Sequence, residues 1–82
     1  MLKVEAFPIA RIYVPGKRAR TLDPAKVEQI AASILDEGQR TPIQVRADGE
    51  RWVLVEGLHR LEALKALGET EIDGYLVQPR RH

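Results

Sequence analysis

The sequence predicts an α+β domain in which a small mixed β-sheet has two main helices packed on it. Extended and helical segments alternate in the order strand, helix, hairpin, helix, strand, which is typical of such a sheet rather than of a bundle or a barrel. The 82 residues, of which 44% are hydrophobic, suffice for one core and exclude a second. We therefore expect a single domain that spans residues 1–82.

The N-terminal segment predicts one or two short strands. Leu2, Val4 and Ala6 alternate with polar residues, as the residues of a half-buried strand do. Pro8 interrupts this alternation, and a second apolar stretch occupies residues 9–14 before a Pro-Gly pair ends it.

The first helix is predicted from Asp23 to about Glu37. Asp23 is a favourable N-cap, Pro24 suits the first helical position, and Gly38 supplies a left-handed C-cap. Between these signals, apolar residues recur at the spacing of one helical face, which we expect to lie in the core. That face consists of Val27, Ile30, Ala31 and Ile34.

The segment after this helix predicts a β-hairpin. Residues 43–46 alternate in polarity, Asp48-Gly49 favours a tight turn, and residues 52–55 return antiparallel. The returning strand is apolar without a break, so we expect it to be central and covered on both faces, with Trp52 in the core.

A second helix and a last strand complete the predicted domain. The helix runs from about Leu58 to Leu67 and ends at Gly68, a residue that favours a helix C-cap. Its inward row consists of Leu61, Leu64 and Leu67. The last strand covers residues 72–77.

The composition excludes several classes of function. With 13 Lys and Arg against 12 Asp and Glu, the net charge of +1 does not by itself call for a nucleic-acid or membrane partner. The absence of cysteine excludes disulfides, thiolate metal sites and thiol chemistry. No apolar run approaches the roughly 20 residues of a membrane span, and no secretory signal pattern is present. We expect a cytoplasmic protein with no membrane partner.

The turn between the hairpin and the second helix predicts an anion site. There a buried strand passes directly into a helix, whose first backbone amides have no acceptor within the helix. Gly57 permits close approach of a ligand to the backbone, His59 can donate or accept a hydrogen bond, and Arg60 offers a planar fork for phosphate oxygens. Glu56 is a candidate to hold Mg²⁺ or to accept a substrate proton.

Each of these residues also has a purely structural interpretation. Gly57 can serve only as a helix cap, and His59 as a solvated or capping residue. Arg60 can form a surface ion pair with an acidic neighbour, Glu56 or Glu62.

A basic cluster, Lys17-Arg18-Ala19-Arg20, precedes the first helix. Three positive charges within four residues suit a triphosphate tail or a DNA backbone, and they are equally compatible with an ordinary solvated loop.

The segment Gly57-Leu58-His59-Arg60 resembles the nucleotide loop of ParB N-terminal domains and of sulfiredoxin. The basic cluster and residues 38–45, with their Pro-Ile pair, occur in the same order as in that superfamily. The loop usually reads Gly-Glu-Arg-Arg in ParB proteins, where it cradles CTP, and Gly-Cys-His-Arg in sulfiredoxin, where it cradles ATP. The resemblance implies a ParB/sulfiredoxin-like fold and a site for CTP or ATP with Mg²⁺. Its residues are Gly57, Leu58, His59, Arg60, Arg18 and Arg20.

Departures from the superfamily limit the activities that the resemblance implies. Leu58 occupies the position of the sulfiredoxin cysteine, so rescue of oxidised peroxiredoxin is excluded. No helix-turn-helix follows the domain as in ParB, so centromere recognition is not expected, and whether the chain is complete or a fragment stays open. Free-serine kinases have an acidic-Gly-His-His-Arg loop; here Leu58 replaces the first His, and Glu5 is a poor candidate for their base.

Three hypotheses for function follow. The first is a ParB-like module that binds a nucleotide by its phosphates and acts in a DNA-associated process such as partition or transcription control. The second is a Mg²⁺-dependent phosphotransferase or nuclease, in which Glu56 holds the metal ion and His59 or Glu62 moves a proton. The preferred nucleotide and the oligomeric state, a homodimer included, stay open. The third hypothesis is DNA binding through phosphate contacts by Arg11, Lys17, Arg18 and Arg20.

Overall fold

The structure confirms the predicted α+β class. The computed structural model describes residues 3–38 and 41–77, so Leu2 of the first predicted strand lies outside the described residues. None of the helices in this part of the chain is long and apolar enough to cross a bilayer. The elements are β1 (Val4–Pro8), a 3₁₀ turn (Ile9–Arg11), β2 (Ile12–Tyr13), α1 (Gly16–Ala19), α2 (Pro24–Glu37), β3 (Ile43–Asp48), β4 (Arg51–Glu56), α3 (Leu58–Ala66) and β5 (Glu71–Leu76).

The five strands form one mixed sheet in the order β1-β5-β3-β4-β2. β1 pairs antiparallel with β5, and β3 pairs antiparallel with β4, which confirms the predicted hairpin. β3 pairs parallel with β5, and β4 pairs parallel with β2. The sheet is therefore mixed, as predicted, and the first and last strands of the chain are neighbours.

The hairpin turn lies one residue later than the sequence suggested. Asp48 pairs with Arg51, so Asp48 is the last residue of β3 and the two-residue loop consists of Gly49 and Glu50. Gly49 has a φ of +63°, which glycine adopts at little steric cost in such a tight turn.

β4 carries an extra residue near its end. The register of the hairpin shifts between Gln44 and Val45, so that Val55 lies opposite no residue of β3. Such a bulge bends the strand and increases its local twist. It therefore helps to turn the chain out of the sheet immediately before α3.

One hydrophobic core joins all five strands, the 3₁₀ turn and α3. Ile43, Val45, Leu54 and Leu61 are its most deeply buried large side chains, each at most 2% exposed. Trp52 is half-buried and packs on this core. Its ring lies edge-to-face against the ring of Phe7, with the two ring centroids 5.1 Å apart. The core consists of Phe7, Ile9, Ile12, Ile43, Val45, Leu54, Leu58, Leu61 and Ile72.

β4 is covered on both faces, as predicted. Val53 and Leu54 are adjacent, so their side chains point to opposite faces, and they are 3% and 2% exposed. Leu54 lies in the core. Val53 lies opposite Arg46 of β3 and Tyr13 of β2, and the cross-strand neighbours on this face shield it.

α2 begins and ends where the sequence predicts but buries less than expected. Oδ1 of Asp23 accepts a hydrogen bond from Ala25 N–H at 3.0 Å, and Gly38 has the left-handed φ of +64°. No side chain of α2 is buried, because the helix packs mainly against α3 and hardly on the sheet. The expectation that its apolar face lies in the core is therefore only partly met. Val27, Ile30, Ala31 and Ile34 are half-buried.

Leu61→Ala tests the assignment of the core. Because Leu61 is 1% exposed, the substitution leaves a cavity, and we expect the free energy of unfolding to fall by about 2–5 kcal/mol. Urea unfolding measures this loss. Leu35→Ala is the matched control, since Leu35 is 74% exposed, and its effect should stay within about 0.5 kcal/mol. Similar losses in the two variants would contradict the assignment.

Candidate functional site

The N-terminus of α3 presents backbone amides that have no partner in the described part of the chain. Gly57 is the N-cap residue, and no side chain caps the helix. The first helical hydrogen bond runs from Leu61 N–H to the Gly57 carbonyl at 2.9 Å. The amides of Leu58, His59 and Arg60 precede this bond and are available to an external acceptor. This confirms the geometry that the sequence predicted for the turn.

The N-terminus of α2, in contrast, is closed by the protein itself. The amide of Asp23 donates to His59 Nε2, and that of Ala25 donates to the Asp23 carboxylate. Lys26 and Val27 both donate to the Asp23 carbonyl, and Pro24 has no N–H. Of the two main helices, α3 is therefore the one that offers free donors.

Gly57 is required by the packing of the turn, in addition to the role that the sequence suggested for it. Its φ of +109° is a conformation that other residues rarely adopt. A Cβ atom on Gly57 would also lie 2.9 Å from Cβ of Ile43 and closer still to Ile43 Cγ2. Since Ile43 is 1% exposed, the glycine permits close packing of the turn against the core.

A surface cleft of about 320 Å³ lies at these free amides. Its volume falls within the range of small-molecule sites. The cleft brings together six of the seven predicted site residues and adds three from α2 and the chain before it. Its lining consists of Arg18, Thr21, Lys26, Ile30, Glu56, Gly57, Leu58, His59 and Arg60.

Arg60 lines the cleft and forms no ion pair among the described residues. The two carboxylates that the structural interpretation assigned to it have other partners: Glu56 lies near Arg18, and Glu62 lies 3.4 Å from Lys65 Nζ. The guanidinium of Arg60 is thus available for an anion, together with the amides of the turn that precedes it.

Arg60 also borders a second cleft, of about 310 Å³, on its other side. Among the described residues that line that cleft, Glu69 and Glu71 carry negative charge, which disfavours phosphate, and Gly38, the C-cap residue of α2, lies there too. The C-terminal end of a helix carries partial negative charge, which adds to the repulsion. The cleft at Gly57 is therefore the candidate for anion binding.

Glu56 stands at the edge of the cleft, opposite a cation. Its Oε1 lies 3.7 Å from Nη2 of Arg18, and the two side chains are 65% and 41% exposed. At this distance and exposure the pair contributes little stability, so either group is available to a ligand. Among the described residues no three acidic or histidine side chains cluster as metal ligands. A Mg²⁺ ion held by Glu56 would therefore draw its other ligands from phosphate oxygens and water.

His59 uses one ring nitrogen to hold the backbone. Its Nε2 accepts a hydrogen bond from Asp23 N–H at 3.0 Å, which requires a lone pair on Nε2 and places the proton of the neutral ring on Nδ1. In this geometry neither nitrogen has a free lone pair with which to take a proton from a substrate. The arrangement matches the capping interpretation of His59 and leaves its predicted catalytic role without support.

Arg20 is the predicted site residue that the cleft does not include. The basic cluster forms the short helix α1 rather than a loop, and Arg20 is its C-cap residue. Residues two positions apart lie on different sides of a helix, so Arg18 and Arg20 do not share one face of α1, and of the two Arg18 lines the cleft.

Sequence reasoning missed Thr21, Lys26 and Ile30 as cleft residues. Ile30 belongs to the apolar face of α2, which the sequence assigns to the core. Lys26 is an isolated cation and is part of no motif. The two residues are four positions apart and so share one face of α2. That spacing was the available signal, but the sequence does not reveal that this face meets the start of α3.

The four cations of the DNA-binding hypothesis do not form one patch. Nη2 of Arg11 donates to the Glu50 carbonyl at the hairpin turn, whereas Arg18 lies beside Glu56. The hairpin turn and Glu56 are at opposite ends of β4, whose six residues span roughly 20 Å. The basic groups are thus divided between two ends of the sheet.

Three features are typical of one family of domains: the free amides after Gly57, the guanidinium of Arg60 without an ion pair among the described residues, and the order of the secondary-structure elements. The model of the ParB N-terminal domain matches residues 2–81 of the chain. The chain belongs to the ParB N-terminal domain family. A comparison with curated protein sequences finds no match.

Solved structures confirm the predicted ParB/sulfiredoxin-like fold. Sulfiredoxin from Arabidopsis thaliana superposes with a TM-score of 0.81 and 28% identity, over 94% of this chain and 86% of that chain. C-terminally truncated ParB from Caulobacter crescentus, complexed with CTP-gamma-S, gives 0.80 and 22%, over 95% and 46%. A free serine kinase in complex with AMP gives 0.75 and 15%, over 90% and 30%. The latter two likenesses show the fold alone, and the chain spans less than half of those two proteins.

Gly57→Ala tests the packing of the turn in this ParB-family domain. Backbone strain and the clash with Ile43 together should lower the free energy of unfolding by about 2–5 kcal/mol, measured by thermal or urea unfolding. Gly68→Ala is the matched control, because Gly68 also has a positive φ, +81°, but open space at its Cβ position. Strain alone should cost that variant about 1 kcal/mol. If Gly57→Ala is as mild as Gly68→Ala, the packing argument is wrong.

Proposed function

We propose that this ParB-family domain is a nucleotide-binding module that holds a nucleoside triphosphate by its phosphates at the start of α3. The observation that carries the proposal is the set of free amides at Leu58, His59 and Arg60, three residues that line one cleft. Helix N-termini bind phosphate because their unpaired donors and the helix dipole both favour an anion.

The charges around the cleft support an anionic ligand. Arg18, Lys26 and Arg60 line it from α1, α2 and α3, and Glu56 is the one carboxylate among its lining residues. The excess of positive charge compensates part of the charge of a triphosphate, and the arginine fork suits its oxygens. Ile30 adds apolar surface to the same cleft, which suits the flat face of a base.

The ligands of related structures support the choice of a nucleotide. ParB from Caulobacter crescentus was solved with CTP-gamma-S, and the free serine kinase with AMP. CTP-gamma-S and AMP are ligands of those two proteins. Because the same fold accommodates them there, CTP and ATP, each with Mg²⁺, are the nucleotides that we propose for this chain.

We propose the wider role of the domain because the chain belongs to the ParB N-terminal domain family. We assign the module to a DNA-associated process such as partition or transcription control, in the cytoplasm. Direct duplex binding by the predicted cations has no single patch to support it, and the phosphotransferase or nuclease alternative has no free base at His59. Sulfiredoxin activity stays excluded because the chain has no cysteine. A homodimer stays open.

Isothermal titration calorimetry with CTP, ATP and ADP in the presence of Mg²⁺ tests the proposal. We expect a Kd below about 1 mM for at least one triphosphate. Arg60→Ala should weaken it by about 10- to 100-fold, since a charge-assisted hydrogen bond contributes about 1.5–3 kcal/mol. Lys65→Ala, which removes the same charge from the other end of α3, is the control and should leave Kd unchanged. Absence of binding, or equal effects of the two variants, would contradict the proposal.

Glu56→Gln tests whether that carboxylate holds Mg²⁺. If it does, the gain in nucleotide affinity on adding Mg²⁺ falls in the variant, whereas without Mg²⁺ the variant binds more tightly because a repulsive charge is gone. The measurement is Kd with and without Mg²⁺. Glu62→Gln is the control, since Glu62 pairs with Lys65 and does not line the cleft. An unchanged Mg²⁺ effect in Glu56→Gln would remove the metal role.

A further inference from the structure

The imidazole of His59 joins the starts of the two main helices. Its Nε2 accepts from the amide of Asp23, which is the N-cap residue of α2. The same Asp23 holds the first turn of α2, because its carboxylate accepts from Ala25 N–H and its carbonyl accepts from Lys26 N–H. One contact from α3 therefore reaches the residue on which the start of α2 depends.

α2 is held mainly by its packing against α3 and only weakly by the sheet. None of its side chains is buried. Yet α2 supplies Lys26 and Ile30 to the cleft, opposite the free amides of α3. The distance between these two walls is thus set by the packing of the helices and by the hydrogen bond from Asp23 to His59.

The chemical requirement of this contact is strict. The donor is a backbone amide, so the side chain at position 59 must present an acceptor. Glutamine presents a carbonyl oxygen at a reach similar to that of Nε2, whereas leucine presents no acceptor. Comparison of glutamine with leucine at position 59 therefore distinguishes the effect of the hydrogen bond from the effect of side-chain size.

We propose that His59 is a positioning residue, which holds Lys26 of α2 over the phosphate-binding amides of α3 through the amide of Asp23. The proposal rests on the proposed nucleotide function and adds a coupling to it. A phosphate bound at α3 and the cation on α2 then act as one unit, and loss of the acceptor at position 59 separates them.

A double-mutant cycle on nucleotide affinity tests the coupling. Lys26→Ala should weaken triphosphate binding by about 10-fold in the wild-type background and by about 2-fold or less with His59→Leu, because Lys26 is then no longer held in place. With His59→Gln the effect should return to about 10-fold. Circular dichroism establishes that each variant is folded. Equal effects of Lys26→Ala in all three backgrounds would overturn the proposal.

Nitrogen-15 NMR tests the contact without any nucleotide. The imidazole of His59 should show the tautomer with its proton on Nδ1, and the Asp23 amide should exchange slowly in the wild type and in His59→Gln but rapidly in His59→Leu. A proton on Nε2 would overturn the proposal. If the contact is found but no nucleotide binds, the proposed function fails, the positioning role fails with it, and a purely structural link between the helices remains.

Discussion

The close packing of Gly57 against Ile43 is the constraint on which the site depends. No Cβ atom fits between the two residues. Gly57, with its positive φ, is the single residue between the end of β4 and the start of α3. The bulge at Val55 supplies part of the required change in direction. The amides of the first turn therefore emerge at the end of the sheet, supported from behind by a buried isoleucine.

The two main helices differ in how the backbone amides at their N-termini are satisfied. α2 has its first donors satisfied by Asp23 and by the ring of His59, so it is held in place and offers nothing to an anion. α3 leaves its first donors free, and with Gly57 as its N-cap residue it gives up roughly a few tenths of a kcal/mol of the stability that a capping side chain contributes. A helix end that natural sequences usually cap is here left open beside three cations, which is consistent with a ligand that completes it.

The sequence predicted those features that short-range signals determine. The cap at Asp23, the end of α2 at Gly38 and the hairpin are specified by neighbouring residues, and the structure has all of them. The turn at Gly57 was found for the same reason, together with a motif that the family shares. The placement of α2 could not be found in this way, because an amphipathic pattern shows that a helix has an apolar face but not how deeply another element covers it.

The placement of side chains around the cleft is also beyond short-range signals. Arg18 and Arg20 look equivalent in sequence, but a helix of four residues is too short for periodicity to reveal, and it separates them. Lys26 reaches the cleft only because α2 lies against α3, a contact between two helices that are separated by 20 residues of chain, 38–57. Such long-range placement depends on the whole core and is not written in any local pattern.

The pairing of the first strand with the last has a consequence for the order in which the molecule is assembled. β1 can join the sheet only after β5 has been synthesised, so closure of the long loop between the two strands is delayed until then. The hairpin and α3, in contrast, form from one contiguous stretch and close short loops. The nascent chain thus contains the amide turn before it contains the finished sheet, and Phe7 gains its partner strand only when synthesis reaches β5.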